Sequence, residues 1–194
     1  MPLSLPSHSP VLVGGGRAAS PRALQVARRF SRSLVSSGFV LHVGCASGVD
    51  AAALCGVLAL GNCSSLFSQM RVFAAFGPSG KGSWRSSAVP AVLAAQRAGF
   101  PVTFWAGGSA RVPLIARLMS RSLAALKGCS AAVFFGPGPG SLKVARAALR
   151  AGVPVLVSRV SLSSPPVLPV PPVPVKFLAF SFWLYAPANQ PALF

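Results

Sequence analysis

Five times in the first 157 residues a short apolar run ends in a turn and gives way to a helical stretch, and a sixth apolar run closes the series. The runs are 11–13, 39–43, 71–76, 102–105, 131–135 and 153–157. The helices are predicted over 21–36, from the turn at 44–50 to about 61, over 89–98 and 113–126, and from the turn at 136–141 to about 151. Ser20 and Pro21 fit the N-cap and first position of the first helix, where a hydroxyl accepts an orphan N–H and proline loses nothing. The strands are apolar throughout rather than alternating, so both of their faces must be covered. Strand, turn and helix in this order build an α/β fold, a doubly wound parallel sheet. Three parts follow: an N-terminal extension over 1–10, the α/β domain over 11–157, and a proline-rich and aromatic C-terminal tail over 158–194. In the tail, 163–174 alternates proline with Val and Leu, which excludes a helix and predicts an extended, polyproline-like path. The aromatic stretch after it either packs back on the body, lies on a membrane surface or forms an interface, with a homo-oligomer one such case.

Charge narrows the partners. Lys and Arg number 18 against one Asp or Glu, a net charge of +17, yet only 10% of residues are charged and the mean hydropathy is +0.64. This is an apolar body with a cationic surface, not a solvated basic tail, and it attracts polyanions. Arginine dominates, which suits bidentate phosphate contacts. A general skew toward Ala, Gly, Pro, Arg, Val, Leu and Ser explains part of the composition but not the loss of acids. Cys45, Cys55, Cys63 and Cys129 form no C-x-x-C pair, and His8 and His42 are not spaced with them as metal ligands, so no metal is expected. Buried thiols in a reducing, cytoplasmic setting are the expectation. The N-terminus lacks a basic and apolar leader pattern, and no apolar run is long enough to demand stable membrane insertion.

The glycine-rich turns carry the candidate site. They fall after the first, second and fifth strands: Gly14, Gly15, Gly16 and Arg17; G-C-A-S-G-V-D at 44–50; and G-P-G-P-G-S at 136–141, with Lys143 just beyond. At the carboxyl ends of parallel strands, such turns bring N–H groups and helix N-termini to phosphate oxygens. They also serve simply as tight turns. The expected phosphate or ligand set is Gly14, Gly15, Gly16, Arg17, Gly44, Ser47, Gly48, Asp50, Gly136, Gly138, Gly140, Ser141 and Lys143. Asp50, the lone acid, reads either as a helix cap behind Ser47 or as a contact to a ribose hydroxyl or base edge. Residues 77–83 miss the P-loop spacing, so no ATPase is expected. One carboxylate cannot supply paired acid–base or metal-assisted chemistry. His42, inside an apolar run, reads as a core histidine, and Cys45 lacks a base to make it a nucleophile.

Basic residues cluster as well. Arg22, Arg28, Arg29 and Arg32 share the first predicted helix, Arg117 and Arg121 stand at i, i+4, and Lys143, Arg146 and Arg150 line the last helix. With no acids to pair them, their partner is water or an external anion. Lys81, Trp84, Arg85, Arg117, Arg121 and Arg146 form the expected nucleic-acid contacts, with Trp84 stacking a base and Trp105 packing in the core.

The three glycine turns, in this order, resemble the signatures of the SLOG superfamily, which includes the DNA-processing protein A (DprA/Smf) family and the LOG, or lysine decarboxylase-like, family. Against the DprA-type pattern S-G-G-A-R-G-I-D, Gly44, Ala46, Gly48 and Asp50 match, Val49 replaces Ile, and Ser47 stands where Arg is frequent. Against the LOG pattern P-G-G-x-G-T-x-x-E, Gly138, Gly140 and Ser141 match, and Val144 replaces the Glu. The resemblance implies a Rossmann-like fold binding nucleic acid, single-stranded DNA above all, or a nucleotide, with no cofactor beyond a bound nucleotide. It points to non-catalytic binding. The alternatives are a LOG-type nucleoside monophosphate phosphoribohydrolase, against which Val144 argues, and an interaction protein that recruits a partner through its tail.

Overall fold

The structure is a computed structural model and describes residues 5–61, 64–83, 88–160 and 162–187. Eight strands and five helices follow in order: β1 (Pro10–Gly15), α1 (Pro21–Ser36), β2 (Val40–Val43), α2 (Val49–Leu58), β3 (Met70–Phe73), α3 (Val89–Arg97), β4 (Val102–Thr103), α4 (Leu114–Leu126), β5 (Ala131–Phe135), α5 (Pro139–Arg150), β6 (Val155–Ser158), β7 (Val173–Phe177) and β8 (Phe180–Tyr185). They form one sheet in the order β4-β3-β2-β1-β5-β6-β8-β7. The six strands from β4 to β6 are parallel. The chain winds outward from β1 to β4, then returns to lay β5 against the other side of β1. That reversal is a topological switch point, where an open α/β sheet leaves a crevice at its carboxyl edge.

The apolar runs dictate the layers. Val11, Val13, Leu41, Val43, Val133 and Phe135 share one core with Phe30 and Leu34 of α1, Leu54 and Val57 of α2 and Val92 of α3. Leu12, Ala132, Phe134, Val155 and Val157 point the other way, onto Ala125 and Leu126 of α4 and Val144, Ala145 and Ala148 of α5. Successive residues of β1 are thus buried on opposite faces, which is why these strands show no alternation in sequence. Ser20 caps α1, its Oγ accepting the Ala23 N–H at 3.2 Å.

The segment expected as a tail joins the sheet. β8 pairs antiparallel with β6, and β7 pairs antiparallel with β8, with Phe177 opposite Phe180. The two-residue turn between them places Leu178 at φ 48° and Ala179 at φ 65°. Residues 163–172 carry neither helix nor strand, as their prolines predict. They are tied down by the Tyr185 hydroxyl, which donates to the Pro166 carbonyl at 2.7 Å, and by Leu168 and Val170 packing on the α4–α5 side. Among the described residues no helix is long and apolar enough to cross a membrane.

Candidate ligand crevice at the carboxyl edge of the sheet

The turns after β1 and β5 meet at the switch point and are stitched together. The Gly16 N–H donates to the Phe135 carbonyl at 3.2 Å, and the Ser141 hydroxyl donates to the Gly15 carbonyl at 2.7 Å. A methyl group on Gly15 would meet the Phe135 carbonyl and the Val49 side chain, and one on Gly16 the Gly136 carbonyl. These two glycines therefore serve close packing between β1, β5 and α2. Gly48 (φ 80°) is the N-cap of α2, and a methyl there would meet the carbonyls of Gly16 and Arg17. Gly138 and Gly140 differ: nothing lies within 4 Å of a methyl group at either. Gly138 is the N-cap of α5 and makes no side-chain cap hydrogen bond, so no capping side chain covers the first turn of α5. Arg17 and Lys143 are exposed on its two flanking elements.

Asp50 does not follow the Ser47 capping pattern. It lies in the first turn of α2, and its Oδ2 accepts the Ala46 N–H at 3.0 Å and the Arg121 guanidinium at 3.1 Å. Asp50 is 5% exposed and Arg121 6%, so this is a buried ion pair. A side chain on Gly44 would collide with both the Arg121 guanidinium and the Asp50 carboxylate, which explains a glycine at that point. Oδ1 is directed toward Gly14, 3.7 Å from where a methyl group on that residue would lie.

Arg117 and Arg121 are not the solvent-facing anion contacts that their spacing suggested. Arg117 is 5% exposed. It donates to the carbonyls of Ala75 at 2.7 Å and Gly82 at 2.9 Å, and its guanidinium lies 5.3 Å from the Trp105 ring centre. The i, i+4 spacing continues to buried Ala125, so both arginines stand on the inward stripe of α4, while Ile115 and Leu123 face out. From there they brace the turns after β2 and β3 and the segment after β4. Two arginines on the buried stripe of α4, with Ile115 and Leu123 exposed on its other side and a lone carboxylate in the sequence, are the signal that identifies this pair.

The other expected residues divide. Lys81 is exposed in the turn after β3, which is closed by the Gly77 N–H donating to the Lys81 carbonyl at 3.0 Å. Arg146 is exposed on α5, 3.5 Å from the Val167 carbonyl. Ser47 and Gly136 are half-buried in the turns of β2 and β5. Trp84 and Arg85 lie outside the described residues. Trp105, expected in the core, is half-buried at φ 53° under the Arg117 guanidinium.

Cys45 and Cys129 are buried thiols. Burial raises the pKa of Cys45, and the Ala75 N–H donates to its Sγ at 3.2 Å. Burial pushes Cys129 up to about 12. Among the described residues no group of three His, Cys, Asp or Glu side chains could hold a metal ion. His42 is a core residue whose Nδ1 lies 2.8 Å from the Ala125 carbonyl, while Nε2 is buried without a partner. Desolvation lowers its pKa below the usual 6.5, the Ala125 hydrogen bond opposing and Arg71 adding to the shift. The unfolded chain therefore binds the His42 proton first. Its contribution to stability is complete above pH 6.5 and declines as pH falls, by at most about 1.4 kcal/mol per unit. Urea midpoints between pH 7 and 5 measure this, and His42→Gln should flatten the curve.

No family model matches the chain, and no curated protein matches its sequence. Solved structures do. DNA processing protein A from Helicobacter pylori superposes with a TM-score of 0.60 at 17% identity, over 81% of this chain and 68% of that one. DNA processing protein A (DprA) from Streptococcus pneumoniae gives 0.58 at 17% identity, over 80% of this chain. The chain has a Rossmann-like fold, similar to that of these two proteins. It spans only 52% of the streptococcal protein, so the likeness is one of fold. The DprA-type resemblance of the glycine turns and the observed sheet thus agree on architecture.

Proposed function

We propose that this domain binds single-stranded nucleic acid, without catalysing a reaction on it, along the carboxyl edge of its sheet. One observation carries the reading: the only carboxylate side chain in the sequence is buried against Arg121, so every charged side chain on the surface is cationic. Such a surface has no acidic side chain of its own to pair with and favours a polyanion. Arg17 and Lys143 would hold phosphates around the first turn of α5, where Gly138 and Gly140 let a backbone approach, with Lys81 farther along the edge after β3 and Arg146 two turns into α5. Asp50 Oδ1 would face a sugar or base at Gly14. The H. pylori neighbour, a protein with a single-stranded DNA binding mode, supports the same ligand class. Hydrolysis in the LOG manner is disfavoured because Val144, at the Glu position of that pattern, is a core residue at 4% exposure.

The test is a titration of a labelled, short single-stranded oligonucleotide at several salt concentrations. Four phosphate contacts predict a log–log slope of about −3. Absence of binding at low salt defeats the proposal.

A further inference from the structure

Helix α1 presents a second charged surface outside the crevice. Its apolar stripe, with Ala23, Ala27, Phe30 and Leu34 fully buried, is used up against the sheet and α2. Its exposed side holds Arg22, Arg28, Arg29 and Arg32. At 100° per residue the four fall within an arc of about 120°, and Arg22 to Arg32 spans about 15 Å along the axis. Arg28 and Arg32 stand at i, i+4, and Arg29 and Arg32 at i, i+3, spacings at which like charges oppose the helix. Surface helices ordinarily relieve this with acids on the same face, but α1 has none and no acid elsewhere on the surface can reach it.

We propose that this face is a second contact surface for the same strand, receiving the phosphate backbone as it leaves the crevice. The inference rests on the nucleic-acid reading above. Continuity supports it: α1 begins at the carboxyl edge of the sheet, so Arg22 in its first turn follows Arg17 of the β1 turn, and Arg28, Arg29 and Arg32 continue away from that edge. Planar guanidinium groups suit phosphate oxygens. A bilayer surface is the weaker occupant, because a helix that lies on lipid must offer a large apolar side chain, and the exposed face of α1 has none.

The experiment compares the wild-type chain with Arg28→Gln/Arg29→Gln/Arg32→Gln on single-stranded oligonucleotides of about 6 and about 20 nucleotides, within the usual range of site sizes. Three lost contacts should make the salt slope of the long oligonucleotide shallower by about 2 and leave the short one unchanged. Equal slopes for the two proteins on the long oligonucleotide overturn the second surface and leave the crevice standing. Failure of the wild type to bind either length removes both readings. Vesicles containing anionic lipid are the third arm: if they capture the wild type but not the triple variant, and oligonucleotides do not compete, the occupant of α1 is a membrane and the inference is wrong.

Discussion

Asp50→Ala is expected to cost about 3–5 kcal/mol of folding stability, because it leaves Arg121 buried without its counter-charge. Arg121 takes the Asp50 carboxylate, while Arg117 relies on carbonyl oxygens and the Trp105 ring. Removing Asp50 also orphans the Ala46 N–H. Asp50→Asn keeps an acceptor for both donors and should fall between Asp50→Ala and wild type. The double variant Asp50→Leu/Arg121→Met removes both charges and should recover much of the loss, since apolar replacements of a buried pair are often neutral. Urea unfolding of the four proteins at pH 7 measures the series. An Asp50→Ala protein as stable as wild type would mean that the carboxylate is solvated and that the pair does not hold the turns after β2 and β3.

Phe30→Ala is expected to cost about 3–5 kcal/mol as well, through lost apolar burial and the cavity left behind. Phe30 is fully buried in α1, and its ring lies 5.4–5.9 Å from those of Phe135, Phe177, Phe180 and Phe182. Three of those four rings belong to the β7–β8 hairpin. The substitution therefore also loosens the hairpin from the body. Limited proteolysis should cut the variant within 163–185 first, and Phe30→Leu should recover most of the stability. A loss below about 1 kcal/mol, with no new cleavage, would show that the hairpin does not depend on α1.

The parallel core was legible because its signals are local. Ser20 and Pro21 start α1 at the expected residue, and 131–135 reads as a strand with no ambiguity of length. The hairpin was not legible, for two reasons. Pro174 argues against a strand interior but is tolerated in β7, which lies at the edge of the sheet. The turn uses Leu178 and Ala179 at positive φ, where a sequence reader looks for Asn-Gly. Between the flanking strands the alternation was present: Val175, Phe177, Phe182 and Leu184 are buried while Lys176 and Ser181 are exposed. Arg17, Lys81 and Lys143 are exposed beside the turns at the carboxyl edge, and the glycine turns there were readable from spacing. Burial of Arg117 and Arg121 was not, because an arginine pair at i, i+4 looks alike on either side of a helix until the neighbouring stripe is followed to Ala125.

The outermost strand has a consequence for how molecules of this chain meet one another. An open sheet edge invites another strand to extend it, and a chain this apolar has more to lose from that than most. β7 offers an approaching backbone Pro174, which has no N–H to give, and Lys176, whose charge would have to be desolvated beside its own copy. The opposite edge, β4, is only two residues long. Both ends of the sheet are thus poor templates for a further strand, one because of Pro174 and Lys176 and the other because it is so short.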